Sequence, residues 1–162
     1  MKSLMRTNRL WIAAACGLFV VVDSLWAQVR KPGLWELTTT QTWQQSPFPA
    51  AAAGGTHTIQ VCLTQEQIDK YGAITPHSPG CQVTNVSKMA TSMTADMICN
   101  GRMNGKGTLE ATFIDGEHAK GKIHFTGSMR IGAESKPVEW TSESTSVFKG
   151  PDCGSVKPAA ER

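Results

Sequence analysis

The stretch TLEATFIDGEHAKGKIHFTGSM, residues 108–129, decides the fold. Leu109, Ala111 and Phe113 alternate with Thr108, Glu110 and Thr112, and after Asp115-Gly116 the residues Ala119, Gly121, Ile123, Phe125, Gly127 and Met129 alternate with polar partners. Side chains of a β-strand point to opposite faces in turn, so a period of two marks a half-buried strand, and Asp-Gly is a favoured hairpin turn. The stretch predicts an antiparallel hairpin with one oily face.

The same period extends outward in both directions. Trp35, Leu37 and Trp43 share one face of a first strand, with Glu36, Thr38, Thr40 and Thr42 on the other. Ile59, Val61 and Leu63 alternate next, and Thr64 is placed to cap a short helix over residues 65–71 that Gly72 ends. Residues 81–87 and 93–99 form another hairpin, turning around Ala90. Val138, Trp140 and Phe148 share parity on a long final strand, diluted by Ser142, Ser144 and Ser146. Residues 44–56, with Pro47, Pro49, four alanines and two glycines, carry no strand pattern and read as a loop. Residues 101–107 lack the Lys-Ser/Thr end and following helix of a phosphate loop, and read as a hairpin turn. The expected fold is mainly β: an antiparallel meander of about seven strands, as a curled sheet or small barrel, with one short helix and two disulfides.

The N-terminus predicts export. Lys2, Arg6 and Arg9 precede an apolar run from Leu10 to Val22, and residues 23–27 make a polar-to-small exit, so residues 1–27 read as a signal peptide cleaved after Ala27. The apolar run is shorter than the roughly 20 residues a membrane span needs. Ala13-Ala14-Ala15-Cys16 imitates a lipidation box, but only six apolar residues precede the cysteine. Cleavage leaves 135 of the 162 residues as a single domain, 28–162, with its core at 34–153. It also removes three of 16 basic and one of 13 acidic residues, which brings the net charge to +1. No basic stripe remains, so nucleic acid is not an expected partner, and the membrane is met only during export.

Four cysteines, Cys62, Cys81, Cys99 and Cys153, remain in the exported part, without a CxxC. An oxidising compartment favours two disulfides, and four cysteines allow three pairings. The hairpin around Ala90 sets Cys81 opposite Cys99 and Val83 opposite Met97, which favours Cys81 with Cys99 and Cys62 with Cys153. The arrangement Cys62 with Cys81 and Cys99 with Cys153 stays open.

Pro32-Gly33-Leu34-Trp35-Glu36 opening the first strand, Val61-Cys62-Leu63-Thr64 before the helix, Cys81-Gln82-Val83, Cys99, a Gly-rich hairpin and a late Cys153 together resemble the exported bacterial family known as domain of unknown function (DUF) 3617. The resemblance implies a small periplasmic β protein and carries over no catalytic residue, metal ligand or cofactor.

Each candidate for chemistry has a structural rival. His118 and His124, six residues apart on one strand at about 3.3 Å per residue, are about 20 Å apart and cannot share a metal. His57 and His77 read as loop histidines. Met89, Met93, Met97 and Met129 could offer thioethers to Cu(I), but Met93 and Met97 lie on the apolar face, where packing accounts for them. No GxSxG elbow is present, and disulfides remove the thiols a cysteine nucleophile needs. Glu36, Glu110, Glu139 and Glu143 sit on strands with no spacing that singles out a pair. Trp35, Trp43, Phe125 and Trp140 face inward beside the small residues Ala111, Ala119, Gly121 and Gly127. That space either lets the sheet bend or forms an apolar cavity lined by the four aromatic residues. The expected function is therefore that of an exported, non-catalytic protein binding a small apolar ligand, with no cofactor. The alternative is an envelope interaction or structural module that meets a protein partner through a sheet edge or the 44–56 loop.

Overall fold

A computed structural model describes residues 30–49, 54–72 and 79–158. The expected signal peptide, residues 1–27 with Cys16, the centre of the 44–56 loop, and His77 lie outside the described residues.

The described residues form β1 (Gly33–Gln45), β2 (Gly55–Leu63), α1 (Gln65–Tyr71), β3 (Cys81–Lys88), β4 (Ser92–Asn100), β5 (Met103–Phe113), β6 (His118–Ile131) and β7 (Glu134–Gly150). All seven strands make one antiparallel sheet in the order β2-β1-β7-β6-β5-β4-β3. Strands β3 to β7 run up and down as a meander, and the β1–β2 hairpin joins the far side of β7.

The small-barrel alternative is not realised: β2 and β3 are edges, and the sheet is open. Helix α1 stands where a closing ladder would be. Its Ile68 packs with Trp35, Val61 and Leu63 of the first two strands, while Lys88 Nζ of β3 donates to the Asp69 carbonyl in its last turn. The two edges therefore meet through a helix instead of through backbone pairing. Each edge also carries a feature that opposes closure. The C-terminal tail takes the outer side of β2 at Cys62, by a parallel bridge to Pro158 and a disulfide to Cys153. On β3 the register shifts between Thr84 and Ser87, with Asn85 at positive φ.

Helix α1 begins in a capping box. The Thr64 hydroxyl accepts from the Gln67 amide, and the Gln67 side chain accepts from the Thr64 amide. Gly72 ends the helix in the left-handed region with its amide bonded to the Ile68 carbonyl, a conformation that costs glycine little.

Residues 101–107 correct the sequence reading. Only Gly101 and Arg102 make the turn, and β5 already runs from Met103. The glycines are there because β6 lies close against them: a β-carbon on Gly105 would run into the Thr126 carbonyl and one on Gly107 would sit 2.7 Å from the His124 carbonyl, with the Phe125 ring at 3.0 and 3.4 Å. Likewise β1 extends to Gln45 and β2 starts at Gly55, so the loop is shorter than residues 44–56. Pro137, deep in the sequence of β7, is tolerated because the β1 ladder ends at Glu139, which leaves the β7 backbone unpaired on that side.

Paired residues share a face, so the registers sort the side chains. One face carries Met93, Ala95, Met97, Leu109, Phe113, Ala119, Phe125, Val138 and Trp140 as a buried cluster, with Trp35, Val61, Leu63 and Ile68 as a second. The other face is a field of threonines, lysines and glutamates.

Candidate ligand-binding cleft

Three of the four aromatic residues expected to line a site come together. Phe125 stacks on Trp140 at 5.5 Å between ring centroids, and Trp43 meets Trp140 at 6.5 Å and Phe48 at 6.2 Å. Trp35 lies apart, edge-on to Phe148 at 5.4 Å. Trp35 and Phe125 are wholly buried and Trp140 is 8 % exposed, so these rings pack against protein. The Trp140 indole N–H is buried with no hydrogen-bond partner among the described residues.

The space beside Ala119 is taken by a residue that no sequence pattern singled out. Arg30, only 4 % exposed, lays its guanidinium 4.2 Å from the Trp35 ring centre and 5.8 Å from that of Phe113. It donates to the Ser146 hydroxyl at 3.0 Å, while its Nε finds no partner. Ser146 is the β7 partner of Ala119, so the small residue at 119 leaves room for an arginine. Burial lowers the Arg30 pKa to about 10, which leaves it charged at neutral pH. Lys31 follows with an ion pair to Glu117 at 2.6 Å, and the Trp35 indole donates to the Lys31 carbonyl at 2.9 Å. The first described residues are thus fastened across the sheet.

The structure joins Cys81 to Cys99, with Cα atoms 4.0 Å apart, and Cys62 to Cys153, at 5.5 Å. Cys81 and Cys99 are direct cross-strand partners.

The histidines stay dispersed. His57 is exposed on β2. His118 Nδ1 lies 2.9 Å from the Asp115 carboxylate, and His124 Nε2 lies 3.5 Å from Glu139. The Glu117 amide, then the His118 side chain and amide, hold the Asp115 carboxyl below the usual aspartate range. No group of three His, Cys, Asp or Glu able to hold a metal occurs among the described residues. Met93 and Met97 are core, and Met89 is exposed.

A cleft of about 560 Å³ involves four adjacent strands, lined chiefly by polar-face residues: Thr38 and Thr40 of β1, Glu143 and Thr145 of β7, Lys120 and Lys122 of β6, and Glu110 and Thr112 of β5. Two rows of directly paired residues build it. One runs Glu110, Lys122, Glu143, Thr40, and the other Thr112, Lys120, Thr145, Thr38. Lys122 reaches Glu143 at 3.7 Å. The threonines at the β1 end are fixed by hydroxyl contacts to β2, Thr38 with Thr58 at 2.9 Å and Thr40 with Thr56 at 2.8 Å. By contrast, the side chains of Lys120, Glu110, Thr112 and Thr145 have no ion-pair or hydrogen-bond partner among the described residues. Sequence reading placed these residues on polar faces. Their convergence depends on which strands pair, and β1 pairs with β7 across 94 to 116 residues of sequence.

Fold and site define a class: a small, open, disulfide-pinned antiparallel sheet with its core on one face and a polar cleft on the other. The chain belongs to the family described as protein of unknown function (DUF3617), whose model matches residues 30–153. No curated protein and no solved structure matches it.

Proposed function

We propose that this chain is an exported, non-catalytic binding protein that holds a small ligand in the polar cleft of its sheet. The carrying observation is the cleft itself: about 560 Å³, within the size range of small-molecule sites, with an exposed cation and carboxylate, Lys120 and Glu110, that have no partner among the described residues. The sequence-based expectation of an apolar ligand among Trp35, Trp43, Phe125 and Trp140 gives way here to a polar one, because Trp35, Phe125 and Trp140 are buried in the core and the half-buried Trp43 packs on Trp140 and Phe48. Two disulfides in a chain of this size fit an oxidising compartment, in keeping with export.

The test is native mass spectrometry of the protein purified from its exported compartment, compared with its denatured mass. A mass released on denaturation, together with an N-terminus at Gln28, is the expected result. Recovery only from the reducing cytosol counts against export. Turnover of a bound molecule counts against a non-catalytic role.

A second reading, a protein-interaction module, is favoured by one observation. The outer edge of β2 over residues 55–59 has no partner strand among the described residues, and Ile59 is 42 % exposed there. Bare protein in the mass spectrum, with a partner crosslinked to β2, would support it.

A further inference from the structure

We infer that the polar cleft takes an acidic saccharide, a conclusion that rests on the binding reading above and gives it a ligand class. The argument comes from what the lining can satisfy. Two lysines and two glutamates give it no net charge, so a compact polyanion such as phosphate would concentrate more negative charge beside Glu110 and Glu143 than the single free lysine can offset, whereas one sugar carboxylate brings one charge to that one lysine. A hydrocarbon would leave all four charged groups and the threonine hydroxyls without partners, at the cost of their lost hydration. An amino acid could use Lys120 and Glu110, its carboxylate on the one and its ammonium on the other, but would leave the threonine ends of both rows unengaged.

A hydroxyl-rich anion satisfies the whole lining. Its carboxylate accepts from Lys120, the one lysine of the cleft without a protein partner among the described residues. Its hydroxyls donate to Glu110 and Glu143, which accept only, and exchange hydrogen bonds with Thr112, Thr145, Thr38 and Thr40, which do both. The cleft spans four strands at about 4.8 Å each and two rows at about 6.8 Å, an elongated shape suited to more than one sugar ring. No aromatic side chain among the described residues lines it, so recognition rests on hydrogen bonds and charge.

The experiment is an NMR amide titration of the oxidised protein, residues 28–162, with four probes: glucuronate, tetragalacturonate, glucose and inorganic phosphate. It is repeated on Lys120→Gln, an exposed position whose replacement should leave the thermal midpoint unchanged. The inference expects uronate-induced shifts at Thr112, Lys120, Thr145 and Thr38, affinity about tenfold weaker for glucose, and a similar loss for uronate in Lys120→Gln, the usual worth of a charged hydrogen bond. Tighter binding of the tetramer than of the monomer points to a polymer segment as the source, and equal binding to a free sugar acid. The inference is overturned if glucose or phosphate binds as well as glucuronate, if Lys120→Gln keeps full affinity, or if the shifts fall at Trp43 and Trp140. If no saccharide binds while native mass spectrometry finds another cargo, the ligand class is wrong and the binding reading survives. If neither finds a ligand, both fall.

Discussion

Arg30 is the residue that best separates packing from polarity in this core. Its charged head has one hydrogen bond, to a neutral hydroxyl, and no carboxylate partner among the described residues, yet it fills the gap between Trp35 and Phe113. A buried charge held this way contributes mostly through the contacts of its stem and flat head. Arg30→Met, which keeps the volume without the desolvation cost, should therefore match or exceed the wild type in urea unfolding. Arg30→Ala should lose about 2 kcal/mol. If Met is as damaging as Ala, the charge itself matters and the packing account fails. Gly127 gives a sharper residue-scale test. A β-carbon there would run into the backbone carbonyl of Asn104 and the Cα of Gly105, atoms that cannot swing away. Gly127→Ala should cost more than about 3 kcal/mol or prevent folding, whereas Gly132→Ala, with nothing within 4 Å of the new β-carbon, should show only the smaller backbone strain of its positive φ.

At the scale of elements, the turn between β5 and β6 acts as a small electrostatic clasp. Asp115 accepts from the Glu117 amide and from the amide and ring of His118, and its pKa is lowered. The sign follows from linkage. A carboxyl whose folded pKa lies below its unfolded value stabilises the fold above the unfolded pKa, near the usual aspartate value of about 3.9, and loses that contribution as pH falls through the folded pKa. Urea midpoints measured from pH 6 down to pH 2 should therefore fall less steeply on the acid side in Asp115→Ala than in the wild type. Parallel curves would show that the turn carboxylate is merely solvated. The neighbouring Lys31–Glu117 pair is half exposed on both sides and should contribute little.

On the whole-molecule scale, the two disulfides differ in how much chain they constrain. Cys62–Cys153 spans 91 residues and ties the tail to an edge strand, while Cys81–Cys99 spans 18 within a hairpin that its own ladder already closes. Loop-entropy reasoning assigns about 4.5 kcal/mol to the first and about 3 to the second. The paired substitution Cys62→Ala with Cys153→Ala should therefore lower the denaturation midpoint more than Cys81→Ala with Cys99→Ala. The reverse order would place the stability in the β3–β4 hairpin. How far the sequence alone reached follows the range of the forces involved. Side-chain alternation is local, so the strands around Phe125, the Thr64-capped helix and the Cys81–Cys99 register were legible in it. Residues 101–107 were not, because the glycines that look like a turn are there where the backbone and the Phe125 ring of β6 come too close for a β-carbon. Nor was the open sheet, in which α1 packs beside β1 and β2 and the tail bridges to the outer side of β2. Glu110, Lys120, Glu143 and Thr38 were legible only as polar positions on separate strands. The sequence by itself determined the strands, their faces and the Cys81–Cys99 register, since each follows from neighbours along the chain. Tertiary structure alone decided that β1 pairs with β7, that Arg30 fills the core beside Ala119 and that four strands share one polar cleft, because pairings between distant segments are chosen by the free energy of the whole sheet.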